Sequence, residues 1–290
     1  MSNKNTSFHK TTKPIQCGGR ILDFSRPKVI GVLNLTPDSF FDGGLYHNEK
    51  QQAEQVEKML TEGADIIDIG AVSSRPGAEE VSQEEELKRL IPVLKRLTKE
   101  FPGALFSVDT FRAGVARQCI ENGAYLINDI SGGSFDDQMF ETVAKLRVPY
   151  ILMHIYGKPQ TMQANPLKKN AVQIVAEFFR EKVRRLKDAG VKDIILDPGF
   201  GFGKSPECNY SLLRHLENLR VDSLPLLAGL SRKSMINKVL GTIPSAALNG
   251  STVLHTIALL NGADILRVHD VKEAKEAVAL VSYYKNTDEC

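Results

Sequence analysis

From residue 29 almost to its end the chain repeats one unit: a short apolar run, a polar or glycine-rich loop, then an amphipathic helical pattern. The apolar runs lie at 29–33, 66–69, 105–108, 125–127, 150–153, 194–196, 224–228 and 265–268. Helical periodicity occupies 49–62, 82–100, 112–122, 136–146, 167–189, 207–219, 232–261 and 271–284. Runs this short and this rich in Ile, Leu and Val read as strands buried on both faces. Strand alternating with helix implies parallel pairing, and eight of each fit an α/β fold, a (β/α)8 TIM barrel filling one domain over residues 28–290. A doubly wound open sheet is the alternative. Gly63, Gly123, Gly190 and Gly262 each end a helical stretch just before a strand, recurring roughly every 60–72 residues, as left-handed helix caps would. Residues 1–27 form a polar lead-in, with a short hairpin expected around Gly18-Gly19.

Charge narrows the function classes. With 37 basic and 35 acidic residues the net charge is +2, so no basic face for nucleic acid or membrane surfaces is implied. The first residues lack the apolar core of a signal peptide, and no apolar run reaches the roughly 18 residues of a membrane span. Cys17, Cys119, Cys208 and Cys290 are scattered with no CxxC pair, which reads as reduced thiols in a cytoplasmic protein.

Polar residues recur at the C-terminal ends of the strands: Asn34, Asp68, Asp109, Asn128-Asp129, His154, Asp197, Ser231-Arg232-Lys233, and Arg267 with His269. In a barrel these ends share one rim, where sites are built. Asp109, Asn128 and Asp197 offer acceptors from three strands, which suits the NH and NH2 groups of an amino-pyrimidinone edge. A two-carboxylate glycosidase site and a weakly held Mg²⁺ use the same residue types. Arg75, Arg232, Lys233, Arg267 and His269 form a second, basic arc suited to an anionic leaving group. His154 reads as a hydrogen-bonded core residue rather than a catalyst. The loop Asp197-Pro198-Gly199-Phe200-Gly201-Phe202-Gly203-Lys204-Ser205 brings bare backbone close to a ligand, with its phenylalanines as walls. It is no phosphate loop, because Pro198 stands where glycine is needed, and its GxGxG spacing is not the dinucleotide fingerprint. Lys204 is therefore assigned to a helix start or the surface. The stretch from Asn34 to Gly44 exceeds an ordinary βα loop and carries Phe40-Phe41, the composition of a lid.

Taken in order, Gly31-Val32-Leu33-Asn34-Leu35-Thr36-Pro37-Asp38-Ser39-Phe40, Asp68-Ile69-Gly70 with Ser73-Ser74-Arg75-Pro76-Gly77, Ser107-Val108-Asp109-Thr110, Asn128-Asp129-Ile130, Leu152-Met153-His154 with Thr161-Met162, Asp197 to Lys204, Ser231-Arg232-Lys233-Ser234 and Arg267-Val268-His269-Asp270 resemble the dihydropteroate synthase family. The resemblance spans residues 29 to 270; no single motif is decisive, but the ordered set is specific. It implies a barrel enzyme of folate biosynthesis, a transferase that joins 4-aminobenzoate to 6-hydroxymethyl-7,8-dihydropterin diphosphate by an SN1-like path. It further implies that Asp109, Asn128, Ile130, Met153, Asp197, Phe202, Gly229, Lys233 and Arg267 bind the pterin. Asn34, Ser74, Arg267 and His269 would hold diphosphate, with Asn34 on Mg²⁺. Phe40, Arg75, Pro76 and Ser234 would shape the aminobenzoate pocket, where sulfonamide-type analogues would also bind. Asn34, Asp38, Lys233 and Arg267 are the implied catalytic set, Asp38 beside the developing cation. A homodimer through outer helices is implied, with Phe178-Phe179 or the last helices as the contact.

One departure stands out. Many members read Gly-Glu-Ser-Thr where this chain has Ala71-Val72-Ser73-Ser74, which keeps the hydroxyl and loses the glutamate. A corrinoid-dependent methyltransferase domain would share the acidic edge, but it needs neither the basic arc nor Thr36-Pro37-Asp38-Ser39-Phe40. A silent pterin-binding paralogue is disfavoured by the intact Asn34, Lys233, Arg267 and His269. The short N-terminus leaves no room for a fused pterin pyrophosphokinase, which is expected as a separate protein.

Overall fold

The computed structural model describes residues 12–35, 49–70 and 81–287. A hairpin of β1 (Ile15–Cys17) and β2 (Arg20–Leu22) leads in, turning through Gly18 and Gly19. The barrel strands follow: β3 (Lys28–Asn34), β4 (Ile66–Gly70), β5 (Phe106–Asp109), β6 (Leu126–Asp129), β7 (Tyr150–Met153), β8 (Ile194–Asp197), β9 (Leu227–Ala228) and β10 (Ile265–Val268). They pair in parallel in the order β8-β7-β6-β5-β4-β3-β10-β9. A bridge from Leu196 to Leu226, with the Leu196 amide on the Pro225 carbonyl at 2.9 Å, joins the two outer members. Walking round the ring, the register steps by two residues at β5–β6, β6–β7, β8–β9 and β10–β3 and not elsewhere. The total offset is eight, the shear of an eight-stranded TIM barrel.

The helices are α1 (Glu49–Thr61), α2 (Gln83–Glu100), α3 (Ala113–Glu121), α4 (Met139–Leu146), α5 (Ala171–Asp188), α6 (Pro206–Arg214), α7 (Ser234–Leu240), α8 (Leu248–Leu260) and α9 (Val271–Lys285). Three depart from the periodicity. The expected helix at 232–261 is two, because Gly241 takes a left-handed C-cap (φ 64°) after α7 and Pro244 opens a separate 3-10 turn. The stretch at 207–219 is α6 followed by a 3-10 turn at Leu216–Leu219. The start at 167 moves to Ala171, because Leu167 is drawn into bonds with Gly203 and Ser205, and Asn170 is left-handed (φ 58°).

The pleat then sorts the strand residues. Ile30, Ile66, Leu105, Leu126, Ile151, Ile195, Leu227 and Ile265 point inward as one apolar layer, sealed from below by Ile15 and Cys17 of the hairpin. Their neighbours Val29, Ile67, Phe106, Ile127, Tyr150, Ile194 and Leu266 point outward to the helices. Two residues beyond the inner layer, the same inward face carries Val32, Asp68, Ser107, Asn128, Met153, Asp197, Gly229 and Arg267. The apolar layer is thus the floor on which a polar one stands. Replacing Ile15 by Ala should open a cavity beneath that floor and cost about 2–4 kcal/mol in urea denaturation; a loss under about 0.5 kcal/mol would show that the hairpin does not seal the barrel.

Candidate active site

The polar layer is held by one buried carboxylate. Asp68 is fully buried, and its Oδ2 accepts from Asn128 Nδ2 at 3.0 Å and from Arg267 Nε at 2.7 Å. Arg267 reaches upward as well, donating from NH2 to Asp109 Oδ2 at 3.1 Å. Burial would lower the arginine's pKa, but Asp68 and Asp109 outweigh it and the guanidinium is held charged. Asp109 carries the opposite balance: burial raises its carboxyl to about 7, against Arg267 and with Asp68, Glu86 and Asp129 adding to the rise. Asn34, at the end of β3, belongs to the same corner. A Cβ on Gly70 would stand 3.9 Å from both Asn34 Oδ1 and Asp109 Oδ2.

The opposite wall is built by β8 and the loop after it. Asp197 accepts from the Gly199 amide at 2.7 Å, and burial raises its pKa against the pull of Lys233. Lys233 donates to the Phe200 carbonyl and lies 4.7 Å from the centre of the Phe202 ring. Burial lowers its ammonium to about 8, with Asp197 opposing. Gly229 marks where these groups meet: a Cβ there would lie 3.6 Å from Lys233 Nζ and 4.0 Å from Asp197 Oδ2 and from Arg267 Cβ. Met153 and Ile130 are buried on the inward face of β7 and just past β6. His269, after β10, pairs its Nδ1 with Ser231 Oγ at 3.0 Å, and Ser234 is exposed at the first position of α7. Asp38, Phe40, Ser74, Arg75 and Pro76, like the Ala71-Val72 departure, lie outside the described residues.

Several expectations are corrected. Lys204 is neither at the surface nor merely a helix opener: it is buried, and its Nζ donates to the carbonyls of His154 (3.0 Å), Gly199 (2.9 Å) and Phe202 (3.1 Å). Burial lowers its pKa to about 7, with Asp197 opposing. Ser205 opens the helix instead, capping the Cys208 amide at 3.3 Å. The loop must be glycine-rich for a steric reason. A Cβ on Gly199 would fall 2.0 Å from the His154 carbonyl oxygen, and one on Gly203 1.9 Å from that of Tyr156. Only Phe202 of the two phenylalanines faces the site, since Phe200 is in the core. Arg232 leaves the basic arc: its guanidinium is bidentate on Asp270 at 2.9 and 2.7 Å. Asp129 turns outward, accepting from Tyr150 OH at 2.6 Å and from the Ser131 and Gly133 amides. His154 is a core residue edge-on to Phe178, yet its Nδ1 has no partner among the described residues, and burial lowers its pKa to about 2.

The sequence reading passed over Asp68 as a site residue, although its place two residues beyond Ile66 puts it in the polar layer. The site also keeps open acceptors: Asp68 Oδ1, Asn128 Oδ1 and Ser107 Oγ are buried without a hydrogen-bond partner among the described residues. Of these, Asn128 Oδ1 is turned away from Asp68 and is the acceptor suited to a donor from a ligand. Carboxylates and an amide oxygen facing Lys233 and Arg267 on the rim of a closed barrel mark the site of a barrel enzyme, suited to a ligand with a donor edge.

The family model described as pterin binding enzyme matches residues 30–269. The dihydropteroate synthase of Escherichia coli (strain K12) is 45% identical over 265 residues, covering 91% of this chain and 93% of that protein. A crystal structure of the Yersinia pestis enzyme with a sulfonamide drug complex overlays with a TM-score of 0.90 at 43% identity, covering 95% of this chain and 100% of the other. The Xanthomonas albilineans enzyme with 4-aminobenzoic acid gives 0.87 at 39% identity, covering 96% and 100%. The chain belongs to the pterin-binding enzymes and, within them, to the dihydropteroate synthases.

Replacing Lys204 by Met should leave the His154 carbonyl without its donor and remove one bond each from the Gly199 and Phe202 carbonyls, which keep the Phe202 and Tyr156 amides at 3.1 and 3.4 Å, at a cost of about 1–3 kcal/mol in urea denaturation. A change within about 0.5 kcal/mol, as for a surface lysine, would refute its role as a staple.

Proposed function

We infer that this chain condenses 6-hydroxymethyl-7,8-dihydropterin diphosphate with 4-aminobenzoate to 7,8-dihydropteroate and diphosphate, a transferase step of folate biosynthesis. The observation that carries the reading is the convergence of Asp109, Asp197 and the open Asn128 Oδ1 from three strands, facing Lys233 and Arg267. The carboxylates and the amide oxygen accept from the NH and NH2 groups of the pterin edge. Phe202, Met153 and Ile130 pack on its apolar surface, and Arg267 lies against the ring.

The C–O bond between the pterin methylene and diphosphate breaks with its electron pair going to diphosphate. Positive charge spreads into the electron-rich ring, and the buried carboxylates stabilise it. The amine of 4-aminobenzoate then donates its lone pair to the methylene carbon, and the extra proton leaves to solvent. No side-chain nucleophile is needed. On the departing side we assign Arg267, His269 and Ser74 to the diphosphate, and Asp38 to the developing cation. Phe40, Arg75, Pro76 and Ser234 are assigned to 4-aminobenzoate and to sulfonamide-type analogues that compete with it.

We assign Mg²⁺ to this corner, where Asn34 Oδ1 and Asp109 Oδ2 offer oxygen donors near Gly70. Asn34 would hold the cation from the protein side, and Mg²⁺ when bound would supply charge neutralisation to the departing diphosphate.

We further propose a homodimer through the last helices. Leu280, Tyr283 and Tyr284 on α9 and Val253 and Ile257 on α8 are exposed, whereas Phe179 is buried and Phe178 packs on His154, so that pair offers no contact. A cytoplasmic location is proposed from the unpaired, buried thiols of Cys17, Cys119 and Cys208. No helix among the described residues is long and apolar enough to cross a membrane.

Diphosphate release from the pterin diphosphate, followed with and without 4-aminobenzoate and Mg²⁺, tests the reaction; no product under any condition would overturn it. Because ionised Asp109 accepts on both oxygens, whereas protonation turns one of them into a donor and removes the charge, kcat/KM for the pterin substrate should fall as pH drops through about 7, and Asp109→Asn should abolish that limb. Arg267, Asp68, Glu86 and Asp129 are the charged groups acting on it. A wild-type profile flat from about pH 6 to 8 would remove Asp109 from the role.

A further inference from the structure

Asp68 carries none of the assignments made above, yet its position dictates how its neighbours face. An ionised carboxylate can only accept hydrogen bonds, so the carboxamide of Asn128 must turn its Nδ2 toward Asp68 Oδ2, as it does at 3.0 Å. The amide oxygen is thereby forced to the other side, where it has no partner among the described residues. Among the described residues no other hydrogen bond holds the amide. Ser107, in register beside Asp68, has no bond to it, and its Oγ is itself without a partner among the described residues. The same Oδ2 atom takes Arg267 Nε at 2.7 Å, while Asp109 takes NH2 at 3.1 Å, so the guanidinium is held at two points and its plane is fixed.

We propose that Asp68 is a positioning residue for pterin recognition, locking Asn128 with Oδ1 toward the pocket so that this wall accepts from, and never donates to, the ring edge. The proposal rests on the pterin reading of the site. With Asp68 in place, a ligand presenting an N–H to Asn128 is matched and one presenting a lone pair is refused. With a neutral amide at position 68, either end of the Asn128 carboxamide can face that position, and the pocket loses its fixed polarity. Arg267 at the same time loses one of its two anchors. Asp68 touches no ligand in this scheme; it acts through Asn128 and Arg267.

The test is a double-mutant cycle read by calorimetric titration of 6-hydroxymethyl-7,8-dihydropterin diphosphate with Mg²⁺, thermal melts confirming the fold. Asp68→Asn should weaken binding at least tenfold in the wild-type background but less than threefold in an Asn128→Ala background, because its main route of action is then absent. Binding within twofold of wild type in Asp68→Asn overturns the proposal, as does an equal cost in both backgrounds, which a merely structural residue would give. Should Asp68→Asn fail to fold, the exchange Asp68→Asn/Asn128→Asp restores one donor facing one acceptor. A folded exchange binding more tightly than Asn128→Asp alone supports the proposal; a folded exchange that binds no better, or one that stays unfolded, overturns it. Wild-type protein that binds no pterin diphosphate refutes the function assigned above, an outcome distinct from failure of the Asp68 proposal.

Discussion

The guanidinium of Arg267, clasped between Asp68 below and Asp109 above, ties β10 to β4 and β5 across the interior of the barrel. A buried carboxylate is costly unless paired and hydrogen-bonded, and Asp68 is buried completely. The register sets Arg267 and Asp68 in one inward layer and Asp109 two residues higher on β5, so that a single guanidinium reaches both carboxylates. The layer beneath is wholly apolar. The eight inward side chains from Ile30 to Ile265, sealed by Ile15 and Cys17, keep water from approaching the charges from below. The charges are therefore open only toward the rim, where substrate arrives.

The second wall obeys a different constraint. Between Gly199 and Gly203 the backbone lies so close to the His154 and Tyr156 carbonyls that no Cβ fits at either glycine. Close packing of carbonyl on carbonyl is repulsive unless a donor intervenes, and Lys204 Nζ supplies it at three of them. Lys233 donates to a fourth carbonyl, that of Phe200. This arrangement presents Phe202 to the site and leaves Asp197 anchored through the Gly199 amide.

Much of this was legible in the sequence because barrel geometry turns strand ends into a shared rim. Asn34, Asp109, Asn128, Asp197, Lys233 and Arg267 are all found there on position alone. What escaped is what depends on direction rather than position. Asp68 and Asp129 both stand at strand ends, but Asp68 falls on the inward face and Asp129 on the outward one, where it serves Tyr150 and a turn. The parity count from Ile66 and Leu126 separates them, once the apolar layer is known. Lys204 and Arg232 escaped for another reason. Each satisfies carbonyls or a carboxylate supplied by distant segments, Lys204 on His154 and Arg232 on Asp270. No local pattern announces such a partner. The break at Gly241 was visible, by contrast, as a glycine followed shortly by Pro244, and the long apolar periodicity through α7 and α8 masked it.

Of the buried polar layer, Arg267 and Asn128 Nδ2 are satisfied within the protein, whereas Asn128 Oδ1 has no partner among the described residues. An unpaired buried acceptor costs on the order of 1–3 kcal/mol, so the site favours a ligand that brings a donor to that place. Binding a neutral, donor-edged ring would relieve that cost without adding charge, whereas a second anion at the same level would meet Asp109 and Asp197. In the proposed reaction an anionic leaving group would be favoured beside the cationic Arg267 rather than against Asp109 and Asp197, and positive charge developing on the ring would fall to the carboxylates. Groups that orient the ground state in this way would also lower the barrier.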